Sequence, residues 1–479
     1  MLYNFFLDKA DSRKLELFLY LDNCLSQKEL WSVVTKDLDI SDFLLNKMID
    51  ELNSDFIKYS LENEFEIISD QVNVELMKFN IGSSEELELR LIRESLAFSM
   101  TSDIFLSQFI SITAYSDNKF LSYSSVYKKL NDMKQGLEGF GFTISKSFEF
   151  EGDEKKLRYF LWYLFTKTYN QDLTFYPNYI KEMTLNFISN LEIYRKKPLK
   201  ENDKIKLSHF LNIAFFRMTD NYFFADEDYY VPEKYLEESC HGTMIIEFLN
   251  NTKIAIPQSR LKVEADEILG FLIAKGMLEP MDYLENVSDV TFKEYSHDFI
   301  EKTKQAFPRL GLYMDSQEEA MDIIHFNALH FVMYDDETSK NMDSFSFYNN
   351  FSHYATFCNV YIGQRIGNEA IFLLKNFLFH HYLLVLINGK LLEKNEVYIY
   401  LYIDFSYGEN YTNLVMEVIK KFTDFHIVYQ DYIDEKTGLI LSDVYFDDFK
   451  EIPQVVWKNF PQVIDWQKLV SQIVFLLPQ

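Results

Sequence analysis

The sequence predicts a multidomain, mainly α-helical protein with two winged helix-turn-helix units at one end and a small α/β domain at the other. Three observations support this fold class. Among 479 residues, 14 are glycine and 9 are proline, whereas their usual shares are roughly 7% and 5%. A helix followed by strand-like residues occurs twice before residue 150. After residue 390, strand-like and helix-like segments alternate, which is typical of a domain with a largely parallel sheet.

The repeated pattern is an amphipathic helix that opens on a serine. The candidate recognition helices are residues 41–53 and 122–137, and Ser41 and Ser122 can cap them. In both copies, apolar residues follow at steps of four, three and four, the spacing of one buried stripe. The stripes are Leu45, Ile49, Leu52 and Phe56, and then Val126, Leu130, Met133 and Leu137. Short β-prone stretches predict the wings, at 57–59 with 65–68 and at 142–145 with 148–150.

Capping boxes predict the helices that precede each recognition helix. In the first unit, a short helix over 13–21 is followed by the box Ser26-Gln27-Lys28-Glu29, which predicts a helix to about residue 36. In the second unit, the box Ser83-Ser84-Glu85-Glu86 predicts a helix to about residue 98. A further helix is expected over 103–115.

Long amphipathic runs after Gly152 predict two consecutive helical bundles. The helices expected in them are 157–169, 178–191, 204–219, 232–249 and 265–274, and then 291–306, 318–334, 344–363 and 368–387. The last domain is expected to contain strands 396–405, 425–430 and 438–446 and helices 410–422 and 465–477. The predicted domains are therefore 1–70 and 71–150 (winged helix-turn-helix units), 151–280 and 281–390 (bundles) and 391–479 (α/β).

Charge is distributed unevenly along the chain. The net charge of −27 opposes binding to nucleic acid, because contacts with phosphate require cations. Residues 119–146, however, carry five lysines against Asp132 and Glu138, a local net charge of +3. Binding depends on the face that a protein presents, so the acidic total does not exclude a DNA-binding surface in this segment.

Several classes of protein are disfavoured. Cys24, Cys240 and Cys358 are far apart, which argues against a disulfide framework or zinc site and fits a reducing cytoplasm. The apolar run 371–387 is interrupted by polar residues and predicts a buried helix rather than a membrane span. The first residues lack the features of a signal peptide. Motifs of common enzyme classes are absent, so neither catalysis nor a metal or cofactor is expected.

Two segments outside the helix-turn-helix units are similar to sequence motifs of known domains. The junction EGDEKKLRYF, residues 151–160, is similar to the Gly-x-Glu-x-x-(Ile/Leu)-Arg-x-Phe stretch that follows the second wing in the Mga/AtxA family of virulence regulators from low-GC Gram-positive bacteria. The segment LSHFLNIAFFR, residues 207–217, resembles a helix of a phosphotransferase-system regulation domain (PRD). The order of units along the whole chain also resembles that family.

The resemblance implies a cytoplasmic transcriptional regulator that binds double-stranded DNA in AT-rich promoter regions. It implies that both bundles are PRD-like and are phosphorylated on histidine by the phosphocarrier protein of the sugar phosphotransferase system. The last domain would resemble the IIB component of sugar transporters and help to form a homodimer. Its loop at 406–410 has no cysteine, where IIB domains place a phosphate acceptor, so assembly is the more plausible role.

The outward positions of the two recognition helices favour the second as the DNA reader. Asp42 and Asp50 in the first helix would repel phosphates, whereas serine, tyrosine, asparagine and lysine in the second can donate to phosphates or base edges. The candidate DNA-binding residues are Ser122, Tyr123, Ser124, Ser125, Tyr127, Lys128, Lys129 and Asn131, with Asn46 and Lys47 of the first helix. An ordinary solvated helix face is the alternative interpretation.

A phosphorylatable histidine needs an exposed ring nitrogen and a neighbour that orients the other nitrogen. The favoured candidates are His209, His380 and His381. At each of these positions a structural histidine is the more common role.

The sequence is also compatible with two other functions. A helical adaptor that binds protein through its winged helices would suit the acidic surface. An RNA-binding antiterminator is a weaker alternative, because such proteins begin with an all-β domain and this chain begins with predicted helices. Mobility shifts of AT-rich DNA at two salt concentrations distinguish a DNA-binding protein from an adaptor.

Overall fold

The computed structural model describes residues 5–24, 27–70, 72–79, 84–225, 229–332, 351–365, 372–392, 399–422, 427–458, 461 and 463–476. The chain divides into two compact units, Met1–Val290 and Thr291–Gln479. Among the described residues, about two thirds of the elements are helices. None of these helices combines the length and the apolar character that a membrane span requires.

The first helical segment combines three helices with a small antiparallel sheet. Its elements are α1 (Lys9–Asn23), β1 (Lys28–Leu30), α2 (Trp31–Asp37), α3 (Asp42–Lys58), β2 (Phe65–Ser69) and β3 (Asn73–Lys78). The strand order is β1-β3-β2. Ser41 caps α3 as expected, and its Oγ accepts a hydrogen bond from the backbone N of Leu44 at 3.3 Å. The predicted apolar stripe of this helix is buried.

Two local predictions in this segment are wrong. Lys28 and Glu29 do not open a helix, because Lys28–Leu30 pairs with Glu75–Asn73 as a strand and the helix begins only at Trp31. Ser26 lies outside the described residues. Residues 57 and 58 belong to α3 rather than to a strand, so the hairpin is formed by β2 and β3. The sheet therefore extends past residue 70, the expected domain boundary.

The second segment contains four helices and a short hairpin. These are α4 (Ser84–Glu94), α5 (Leu96–Phe105), α6 (Ile112–Lys119), α7 (Tyr123–Glu138), β4 (Phe142–Ile144) and β5 (Phe150–Gly152). The predicted helices to residue 98 and over 103–115 are wrong in their bounds. Ser95 and Ser111 each cap a new helix, accepting hydrogen bonds from Phe98 N and Ala114 N at 3.1 Å. The capping box at 83–86 lies partly outside the described residues.

The segment before α1 packs into the second segment. Phe6 is fully buried, and its ring centroid lies 6.3 Å from those of Phe98 and Phe160. Gly136 on α7 makes room for the neighbouring ring, since a Cβ there would lie 2.5 Å from the ring of Phe5. The start of the chain therefore stabilises the α5–α7 core.

The remainder of the first unit is helical. It contains α8 (Glu154–Tyr169), α9 (Asn178–Arg195), α10 (Glu201–Thr219), α11 (Glu233–Glu238), α12 (Cys240–Asn250), α13 (Gln258–Ala274) and α14 (Tyr283–Asn286). The single helix expected over 232–249 is divided, because Ser239 ends α11 and caps α12 by accepting a hydrogen bond from Gly242 N at 3.1 Å.

The second unit contains a further group of helices and a parallel sheet. The helices are α15 (Thr291–Ala306), α16 (Gly311–Asp315), α17 (Glu318–Phe331), α18 (Ser352–Arg365), α19 (Phe372–Leu392), α20 (Glu409–Phe422) and α21 (Val463–Leu476). The strands are β6 (Ile399–Asp404), β7 (Ile427–Gln430), β8 (Leu439–Ser442) and β9 (Gln454–Val456). Their order is β7-β6-β8-β9, and all three pairings are parallel, as predicted. Strand β9 was not predicted, and parts of helices 318–334, 344–363 and 368–387 lie outside the described residues.

Candidate nucleic-acid interface

Helix α7 presents one face to the core and the opposite face to solvent. Ser122 caps it, its Oγ accepting a hydrogen bond from Ser125 N at 3.1 Å. The preceding turn passes through Phe120, whose left-handed backbone ends α6 at Lys119. The apolar stripe that begins at Val126 is buried throughout. This burial fixes the rotation of the helix, so the side of α7 opposite the stripe faces outward.

The structure brings the predicted residues of α7 together on this outward side. Six of them are exposed, namely Ser122, Tyr123, Ser124, Ser125, Tyr127 and Lys128. Lys129 and Asn131 are half-buried at the edges of the same surface. We call these eight residues the α7 outward face. These eight residues combine hydroxyl, amide, ammonium and aromatic groups, and the exposed carboxylate of Asp132 follows them on α7.

The lysines near this face differ in their partners. Within the described residues, Lys128, Lys129 and Lys146 make no ion pair, and Lys146 is exposed in the hairpin turn. Lys134 instead donates to the backbone O of Ser145 at 3.3 Å and fastens the hairpin to α7. Lys119 pairs with Asp103 at 3.4 Å. The cations without a carboxylate partner thus lie on α7 and at the tip of the β4–β5 hairpin.

On the corresponding face of α3, polar side chains bond to other residues of the same helix. The side-chain N of Asn46 donates to the backbone O of Asp42 at 3.3 Å, and Lys47 pairs with Glu51 at 3.6 Å. Asp42 also accepts a hydrogen bond from Trp31 Nε1 at 2.7 Å. Because the polar groups of α3 satisfy one another, this helix offers fewer donors to a ligand than α7 does.

The α7 outward face is connected to the bundle through the start of α8. Gly152 ends β5 with φ of 130°, and a Cβ there would lie 2.7 Å from the backbone O of Gly141. Only glycine fits this position. Asp153 then caps α8, accepting a hydrogen bond from Lys156 N at 3.0 Å. The hairpin and α8 are therefore joined without an intervening linker.

A buried ion network holds α8 to α10 and α13. Arg158 is 3% exposed and donates to both carboxylate oxygens of Glu264, which is fully buried, at 2.7 and 3.0 Å. Glu154 accepts hydrogen bonds from Arg158 at 2.8 Å and from Arg217 at 2.9 and 2.6 Å. Burial acts to raise the pKa of Glu154, but the two guanidinium groups outweigh it and lower that pKa.

The sequence motif at the junction covers one side of this network and not the other. The junction over 151–160 contains Glu154 and Arg158, whereas Glu264 was not singled out. The sequence does contain an indication of Glu264, because three acidic residues, Glu264, Asp266 and Glu267, lie in a stretch that is otherwise apolar. Asp266 accepts hydrogen bonds from the backbone N of Tyr230 at 2.6 Å and from Tyr283 OH at 2.8 Å, and burial raises its pKa to about 7.

His209 lies inside the first unit. It is fully buried, its Nε2 donates to the backbone O of Asn170 at 2.7 Å, and its Nδ1 lies 3.0 Å from Tyr176 OH. Burial lowers the pKa of His209 to about 4. Both ring nitrogens are occupied, and neither is accessible in this conformation. This environment argues against the expectation that His209 accepts a phosphoryl group.

His380 and His381 have a different environment on α19. Both are half-buried and lie among aromatic rings, with ring centroids of His381 and Phe377 4.1 Å apart and of His380 and Phe379 5.3 Å apart. His325, by contrast, is buried between Ser296 and Tyr382, at 2.9 and 2.6 Å from its ring nitrogens.

No group of three or more histidine, cysteine, aspartate or glutamate side chains in the described part of the chain could hold a metal ion. The α7 outward face is a surface of hydrogen-bond donors and aromatic rings. Its chemistry suits a polyanion with apolar groups between its charges.

No curated protein matches this chain. A family model does match, over residues 80–165, a span that contains α4 to α7, the β4–β5 hairpin and the junction with α8. The family is described as the Mga helix-turn-helix domain, and this match supports a regulator of transcription that binds DNA through this part of the chain.

Proposed function

We propose that this protein regulates transcription by binding double-stranded DNA through a winged helix-turn-helix formed by α6, α7 and the β4–β5 hairpin. Helix α7 enters the major groove, and the hairpin lies against the neighbouring backbone. The observation that carries the proposal is the α7 outward face, where Lys128 and Lys129 lack carboxylate partners within the described residues.

The acidic composition is compatible with this function because residues 119–146 carry a local net charge of +3. Lys128, Lys129 and Lys146 can each approach a phosphate without breaking an ion pair within the described residues. Asn46 and Lys47 of α3 are already engaged with neighbours on their own helix. The first helical segment accordingly positions the second, which reads the DNA.

Replacing Lys128 and Lys129 together with alanine is expected to weaken binding to an AT-rich duplex of about 30 base pairs. Each lost phosphate contact should reduce the slope of log affinity against log salt concentration by about 0.9. Affinity measured by fluorescence anisotropy at several salt concentrations gives this slope. The matched control is Lys47→Ala on α3, which should leave both quantities unchanged.

Two results would contradict the assignment. An unchanged slope and affinity in the double variant would show that α7 does not contact phosphate. Absence of any binding to the duplex at low salt would favour a helical adaptor that binds protein.

For regulation, we propose PRD-like bundles that a phosphocarrier protein of the sugar phosphotransferase system phosphorylates at His380 or His381. These rings are half-buried, whereas the ring of His209 is fully buried. His380→Asp and His381→Asp should change the output of a promoter reporter, because a carboxylate mimics part of the phosphoryl charge. His297→Asp on α15, an exposed histidine, is the control. An unaltered reporter with both variants would count against phosphorylation at this place.

We also propose a homodimer assembled through residues 391–479. A symmetric DNA reader usually works as a dimer that spans two half-sites. The described part of this region exposes the large apolar side chains of Leu414, Tyr432, Val444 and Tyr445, which suits a protein contact.

A further inference from the structure

We propose that Tyr123 and Tyr127 form an aromatic pair that recognises the methyl groups of thymine in the major groove. This inference rests on the proposed function and adds to it the chemical feature of DNA that α7 selects. It attributes the AT-rich target that the family resemblance implies to direct contact with the bases rather than to DNA shape alone.

The two rings form a single exposed surface. They lie one helical turn apart, with centroids separated by 6.2 Å and planes inclined by 10°. Tyr123 is 54% exposed and Tyr127 is 51% exposed. Tyr123 is the first residue of α7, and the first turns of a recognition helix are the part that approaches base edges.

The fold of α7 does not require these rings. Its core contacts are made by the buried stripe, and neither tyrosine hydroxyl has a hydrogen-bond partner in the described part of the chain. The register of the repeated helix provides an internal comparison, since Asp42 and Asn46 occupy the same positions in α3. The same stripe and serine cap therefore form a helix without an aromatic pair.

The chemistry of the major groove indicates the ligand group. Thymine's C5 methyl is the apolar group that a base pair presents there, and apolar side chains are its usual contacts. Two exposed rings bury apolar area when they meet such methyl groups. The adjacent Ser124 and Lys128 are polar and can bind the phosphates on either side.

The test compares two duplexes of 30 base pairs, one of alternating adenine and thymine and one in which deoxyuridine replaces every thymine. Uracil pairs like thymine but lacks the methyl group. The intact wild-type chain is expected to bind the thymine duplex on the order of tenfold more tightly. Burying one methyl group is worth roughly fourfold in affinity, and each of the two rings can bury one. Equal affinity for the two duplexes would overturn the inference and leave DNA binding itself intact.

Matched variants separate the rings from the hydroxyls and the charges. Tyr123→Ala with Tyr127→Ala should bind both duplexes equally, whereas Tyr123→Phe with Tyr127→Phe should keep the preference. Lys128→Ala with Lys129→Ala should weaken both complexes and keep their ratio. A preference that persists in the double alanine variant would overturn the role of the tyrosines. Failure of the wild-type chain to bind either duplex at low salt would overturn the proposed function as well.

Discussion

Replacing Arg158 with methionine is expected to lower the free energy of unfolding of the amino-terminal unit by about 3–5 kcal/mol. The variant leaves the carboxylate of Glu264 fully buried, and within the described residues the backbone N of Phe224 is its remaining donor, at 3.1 Å. An uncompensated buried charge costs more than the intact pair contributes, because desolvation is no longer offset. Glu154 retains Arg217, so the loss is centred on Glu264.

Urea denaturation followed by tryptophan fluorescence measures this effect, since Trp162 is buried on α8, the helix that carries Arg158. Arg90→Met is the matched control, because Arg90 pairs with Glu86 on the exposed surface of α4 and should cost less than about 0.5 kcal/mol. Adding Glu264→Gln to Arg158→Met should restore more than half of the lost stability, since the amide is neutral and can still accept from Phe224. A loss no larger than that of Arg90→Met would refute this account.

The second large effect is a loss of folding stability at acidic pH, caused by His209. Its pKa is about 4 in the folded chain, against about 6.5 for an unperturbed histidine. The unfolded chain therefore binds a proton between these values and the folded chain does not. Stability from His209 is fully present above pH 6.5 and is lost as the pH falls toward 4, by roughly 3 kcal/mol in all. Asp172 is the nearby charge that opposes this shift.

The variant His209→Gln should lack this acid-dependent loss, because its amide can donate to Asn170 and accept from Tyr176 without titrating. The measured quantity is the difference in unfolding free energy between wild type and variant at pH 7.5, 5.5 and 4.5. Taking the difference cancels Asp266, whose raised pKa acts in the opposite direction by favouring the folded state as the pH falls from about 7. His297→Gln is the exposed control. A difference that does not change with pH would contradict the buried, neutral imidazole.

Helix α7 of the candidate interface can be predicted from the local sequence pattern. The serine cap and the stripe of α7 involve residues within four positions of one another, so their physical basis is contained in a short segment. The helix bounds that were predicted wrongly before α6 also depend on local residues. Ser95 and Ser111 are capping residues, but they lie in continuous runs where hydrophobic periodicity alone does not show that the helix stops.

The sequence by itself determined which helix carries the cationic outward face, because burial of a periodic stripe dictates what remains exposed. Only the tertiary structure decided that Arg158 meets Glu264, 106 positions away, that Lys28–Leu30 joins a sheet with β3, and that His209 is enclosed. These outcomes depend on partners far along the chain. Pairing and desolvation set the energy of a charge, a strand edge or an imidazole, and neither can be evaluated until the neighbouring elements have packed.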